Sequence, residues 1–169
     1  MAKKLSEEEI KSIAPKTLLK MIDLLKKTIK KDPVIIKLFK DYEIDLNELD
    51  LVPMAFADIP VSARTAHGCI YFSYKLLEDG DFSKDYSYAT HELTHWAQQT
   101  ALSKPTQGAD DGDYLSNPYE QEGFQNQVEY IANHNGEQKA EKYVDKVLDH
   151  HDKKGKEKIK LREKLLSKI

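Results

Sequence analysis

The chain has 169 residues, 40% of them hydrophobic, which is enough to bury one sizeable core and fits a single domain over 1–169. Charged residues make up 33%, yet the net charge is only -3, so the protein as a whole offers no electrostatic reason to bind nucleic acid or an anionic membrane. No run of about 18 apolar residues occurs, the lysine-rich start leads into Ser6-Glu7-Glu8-Glu9, and one cysteine, Cys69, excludes an internal disulfide; these features predict no membrane span, no classical export signal and a cytoplasmic or phage-associated setting.

In sequence order, Ser6 with Glu9 has the form of a capping box. Ile10, Ile13, Leu18, Met21, Ile22, Leu25 and Ile29 follow at helical spacing, so a helix is expected from Ser6 to Lys31, with Pro15 as its point of weakness. Pro33 opens a shorter helix to Tyr42. Leu51–Ala57 and Gly68–Tyr74, rich in aromatic and branched residues, are expected as strands. A further helix is expected from Lys84 to Leu102, before the breaker-rich stretch from Ser103 to Asp113. Asn117-Pro118, a cap followed by proline, starts a helix to Asn133, and Gly136 separates it from a charged C-terminal segment. Helices, then a few strands, then helices make an α+β order.

The helix from Lys84 carries Thr90-His-Glu-Leu-Thr-His-Trp96. Residues four apart on a helix stand about 40° from one another, so His91 and His95 share a face and can share one ion. Glu92 lies about 100° round from His91, poorly placed as a ligand but well placed to take a proton from a water held on a metal. The plainer reading makes both histidines surface residues of a helix whose core face is Leu93, Trp96 and Ala97.

Catalytic zinc usually takes three protein ligands and keeps a fourth position for water. Glu120 and Glu122, near the start of the next helix, are the candidates for the third. Glu120 also stands three residues after Asn117, where a capping-box carboxylate belongs, and in that case Glu122 takes the ligand role.

HELTH followed by a helix starting Asn-Pro-Tyr-Glu-Gln-Glu-Gly resembles the gluzincin group of zinc metallopeptidases, in particular its compact minigluzincin members, over about Leu51 to Ile131. The ligand glutamate of that group precedes a small residue by three positions, which Glu120 and Gly123 reproduce, so the resemblance implies His91, His95 and Glu120 as ligands of Zn²⁺ and Glu92 as the catalytic base. It also implies a zincin fold, a small sheet with the HExxH helix, arranged as N-terminal helices (1–45), a catalytic core (51–135) and charged C-terminal helices (136–169). The implied activity is hydrolysis of a protein or peptide substrate. Phe124 departs from the pattern, since an acid or amide commonly stands four after the ligand to orient a histidine. An alternative function is a non-catalytic module on the same scaffold, regulatory or phage-associated, against which the intact Glu92 argues.

Cys69, in His-Gly-Cys-Ile-Tyr, bears a superficial likeness to peptide deformylases, which take a cysteine as the third ligand, but a small buried strand residue is the simpler expectation. Tyr114, Tyr119 and His67 are expected in packing roles, any one of them being a candidate donor to an oxyanion. His150 and His151 are adjacent, so they point to different helix faces, and Lys153–Lys168 reads as a solvated amphipathic helix. Ile70–Tyr74 is the stretch expected to pair with an extended substrate.

Overall fold

A computed structural model describes residues 3–107 and 114–169. The Ser6–Glu9 capping box is present, with each side chain bonded to the other residue's backbone N–H, and starts a short helix α1 (Glu7–Lys11). The single helix expected from Ser6 to Lys31 is divided at Pro15. That proline has no N–H to continue the ladder, it holds Ala14 extended, and it opens α2 (Pro15–Ile29) at its first position. Helix α3 (Pro33–Asp41) follows, capped by Asp32, whose carboxylate accepts from Val34 N–H at 2.9 Å.

Strand β1 covers only Met54–Ala57, because Leu46–Leu51 winds into a 3₁₀ turn capped by Asp45 and leaves Leu51 exposed. Strand β3 (Cys69–Ser73) lies within the expected second strand. Between them is an unexpected strand, β2 (Ala63–Ala66). Ala66 pairs with Cys69 across a two-residue turn, His67-Gly68, whose φ values of 53° and 77° are both positive as a type I′ hairpin demands.

The sheet order is β1-β3-β2, with β1 parallel and β2 antiparallel to β3. This overturns the expectation that Ile70–Tyr74 pairs with substrate, because β3 is the central strand and spends its hydrogen bonds on both neighbours. Among the described residues β2 pairs with a strand on one side only, and it packs against α4.

The helices that follow are α4 (Tyr86–Leu102), α5 (Pro118–Asn135), α6 (Glu137–His150) and α7 (Gly155–Leu165). Helix α4 begins two residues later than expected because Phe82–Asp85 forms a 3₁₀ turn. The described residues thus make a mostly helical α+β molecule with one small mixed sheet, and no helix among them is long and apolar enough to cross a membrane.

Two apolar clusters flank the α4–α5 pair. One joins α2, α3 and the sheet to Leu93 and Ala97 of α4, with Phe39, Ile70 and Phe72 almost wholly buried. The other joins Phe124 and Val128 of α5 to Ala140, Val144 and Leu148 of α6 and Leu165 of α7. Between them lies a buried polar layer. Thr94 accepts from Asn126 Nδ2 at 2.9 Å, Lys168 donates to Asn126 Oδ1 at 2.7 Å, and Thr90 donates to Ser87 O at 2.6 Å. Buried polar groups carry a desolvation cost of about 1–3 kcal/mol each when left without partners, and among the described residues no buried side-chain polar atom is. Both faces of α4 are therefore buried, one in apolar contacts and one in this layer.

Candidate metal centre

Three ligand-type atoms meet within the polar layer. Nε2 of His91 and Nε2 of His95 lie 3.2 Å apart, and Oε1 of Glu120 stands 3.2 Å from the first and 2.7 Å from the second. These residues come from one face of α4 and from the first turn of α5, and all three are at most 6% exposed. Asn117 caps α5 with its own side chain, accepting from Tyr119 N–H at 2.9 Å, while Oε1 of Glu120 turns to the imidazoles. Glu122 lies elsewhere, accepting from Tyr42 O–H at 2.7 Å and from Gln98 Nε2 at 3.2 Å. Cys69 sits on β3 and is not a member of the cluster, which removes the deformylase-like ligand set.

The far nitrogen of each imidazole is held by a carboxamide. Gln98 Nε2 lies between two acceptors, Tyr119 O at 3.1 Å and Glu122 Oε1, so its Oε1 must be the atom facing His95 Nδ1 at 3.0 Å. The Nδ1–H of His95 therefore donates outward, and its Nε2 lone pair faces the cluster. Gln127 takes the same part for His91, its Oε1 standing 3.1 Å from Nδ1. Residue 124 does not, because Phe124 packs edge-on against the His91 ring at 4.6 Å between centroids. Neither glutamine stood out in the sequence. Gln127 is two helical turns beyond Glu120, and that spacing, which returns to the same face, is the signal that could have found it.

Two imidazole nitrogens and a carboxylate oxygen at these separations are held together by a positive charge between them. Burial pushes the Glu120 carboxyl up, but hydrogen bonds from His91 and His95 reverse this and hold it well below the usual carboxylate range. Burial likewise pulls His91 down, while Glu120 and Glu92 carry it above its ordinary value. A proton can supply that charge, and so can a metal ion. Donors about 2.0 Å from a tetrahedral ion stand roughly 3.3 Å apart, close to two of the three separations found. The buried His91–His95–Glu120 group can thus hold a metal ion.

Close approach of α5 makes the convergence possible. An added Cβ on Gly123 would lie 3.1 Å from Nε2 and Cε1 of His91, so the glycine permits the helix to press against the ring.

Glu92 is 5% exposed and stands apart from the three ligand atoms. Its Oε1 lies 3.1 Å from Thr65 Oγ1 on β2 and accepts from Gln107 Nε2 at 2.6 Å. Both contacts fall on one oxygen, and among the described residues Oε2 has no hydrogen bond.

Beside His91 and Glu92 opens a cavity of about 880 Å³. Ala63 at the start of β2 is on one wall, Tyr88, Phe124 and Tyr143 supply aromatic surface, and the end of α6 supplies His150 and His151. Tyr114 also lines it, stacked on His151 with centroids 5.1 Å apart, its hydroxyl pushed far up by burial and by Glu120 and Glu92. Of the other expected donors, His67 is exposed in the β2–β3 turn and Tyr119 lies under Lys104, outside the cavity lining. The charged segment after Gly136, read from sequence only as flanking the core, therefore forms a wall of the cavity through α6. Known protein families, characterised proteins and solved structures yield no match to this protein.

Proposed function

We propose that this protein is a zinc-dependent peptidase of the zincin kind, with His91, His95 and Glu120 as ligands and Glu92 as general base. The observation that carries the reading is the convergence of three buried ligand-type atoms, with His91 lining the same cavity as Glu92, a carboxylate that is not one of the three. A structural metal site is closed by a fourth protein ligand and has no use for such a base, whereas a catalytic one leaves a position open.

When bound, Zn²⁺ supplies Lewis acidity, lowering the pKa of a coordinated water towards neutrality and polarising a carbonyl. The protein's own residues do the rest. Glu92, held through Oε1 by Gln107 and placed by a Thr65 hydroxyl shared between that oxygen and the Glu92 carbonyl, offers Oε2 to take the water's proton and pass it to the leaving amine. Gln98 and Gln127 fix the imidazole tautomers. Tyr114, at the cavity wall, is the candidate donor to the developing oxyanion. An extended peptide would lie along the open edge of β2, with one of its residues in the aromatic cavity.

The test combines metal analysis with peptide cleavage. The purified protein should take up one zinc per molecule, His91→Ala and His95→Ala should lose it, and the loaded wild type should cleave members of a peptide library. A folded protein that takes up no metal from micromolar zinc would sink the reading.

A further inference from the structure

Gln107 is the residue that joins Glu92 to the outer edge of β2. Its Nε2 donates to Glu92 Oε1 at 2.6 Å, and its Oε1 accepts from the backbone N–H of Thr65 at 3.2 Å. Thr65 lies opposite Ile70 in the β2–β3 pair, but its N–H is turned away from β3, towards the edge where an added strand would pair. The period of two along a strand gives Ala63, which lines the cavity, the same outward orientation. Gln107 thus presents an amide oxygen where the backbone carbonyl of an extended peptide would be accepted, and an amide N–H to the carboxylate beside it. The preceding residue anchors the segment. Thr106 is 3% exposed, its carbonyl accepts from Asn117 Nδ2 at 3.3 Å, and its hydroxyl oxygen lies 3.4 Å from both Gln99 Nε2 and His95 Nδ1. The Gln107 carboxamide can therefore rotate away while the backbone before it stays in place.

We propose that Gln107 is a specificity-determining gate, which holds the place of a substrate's backbone carbonyl on Thr65 and is displaced when an extended peptide pairs with β2. The inference rests on the peptidase reading and deepens it by naming the substrate class. An extended peptide gains a strand hydrogen bond as it expels Gln107, and the same movement removes the amide donor from Glu92. A small amide or ester that does not reach Thr65 has nothing to exchange for those two hydrogen bonds and leaves the gate closed.

Two hydroxamates test it on the zinc-loaded protein. Acetohydroxamate reaches a metal but not the strand edge, whereas an N-acyl tripeptide hydroxamate can do both. Gln107→Ala and Gln107→Met, the second keeping the length of the residue, should bind the tripeptide compound roughly tenfold more tightly than wild type, because two hydrogen bonds no longer compete with it. Acetohydroxamate reports any change at Glu92 common to both compounds, so the ratio of tripeptide to acetohydroxamate affinity should itself rise roughly tenfold in both variants. In the metal-free proteins, amide hydrogen exchange at Thr65 should be faster in both variants. Tripeptide binding that is equal or weaker in the variants, with zinc bound and Thr65 exchange unchanged, overturns the gate and leaves the peptidase reading intact. A wild type that takes up no zinc overturns the peptidase reading and the gate with it.

Discussion

Gly123 lies against His91 so closely that a single added carbon at its Cα would stand 3.1 Å from two atoms of the ring. Such contacts are tighter than the ring can accept without moving. Alanine is the better helix former by about 1 kcal/mol, so Gly123→Ala should leave α5 as stable or more stable while displacing His91. We expect metal affinity to fall roughly tenfold with an unchanged or higher Tm, measured by competition with a chromogenic chelator and by thermal unfolding. Undiminished affinity would show that the ring yields without losing its aim.

The two glutamates of the α5 first turns should separate cleanly. Glu120→Gln removes the negative ligand and should weaken metal binding by roughly 100-fold or more, as loss of one of three donors requires. Glu122→Gln keeps an oxygen able to accept from both Tyr42 and Gln98, and should change affinity by less than about threefold. Gln98→Ala, which frees the His95 ring, should fall between them at about 10- to 100-fold. Zinc titrations of the three variants check the order, and the reverse ranking of the glutamates would reassign the ligand.

Glu92→Gln retains Oε1 for Thr65 and Gln107 and replaces only the oxygen that has no hydrogen bond among the described residues. Fold and zinc content should be those of wild type, while peptide cleavage falls by about 10²- to 10⁴-fold. Equal turnover in the two proteins would make Glu92 a structural residue and favour the non-catalytic alternative.

A pH effect is expected at Asp85, the residue before α4. Burial, with Asp79 and Asp81 nearby, raises the Asp85 carboxyl to about 6 from 3.8. The folded state therefore holds a proton that the unfolded state has released, and stability should fall as pH rises from about 4 through 6. Asp85 is half-buried, so solvent discounts the full shift, and the loss should be roughly 1–2 kcal/mol. Asp85→Asn should remove that slope in urea unfolding followed from pH 4 to 7; a slope of the same size in the variant would refute the assignment.

The sequence by itself determined the local features. The Ser6 capping box, the starts at Pro33 and Pro118, the helical run through HELTH and the shared face of His91 and His95 all follow from backbone chemistry and a period of 3.6, which act between near neighbours. The residues alone left Glu120 and Glu122 open, and it was the resemblance to gluzincins that favoured the carboxylate that does meet the histidines, without showing the ring that Gly123 packs against.

What the tertiary structure decided depends on contacts between residues far apart in the sequence. Strand β2 is short and weakly β-forming, and it exists because the His67-Gly68 turn folds it onto β3. That pairing makes β3 central and leaves β2 paired on one side only among the described residues. Gln98 and Gln127 look like ordinary polar helix residues until α4 and α5 face each other, when burial leaves every polar atom needing a partner. Helix α6, part of a segment that showed only its charge in the sequence, becomes a wall of the cleft because α5 turns its apolar side, Phe124 and Val128, towards it.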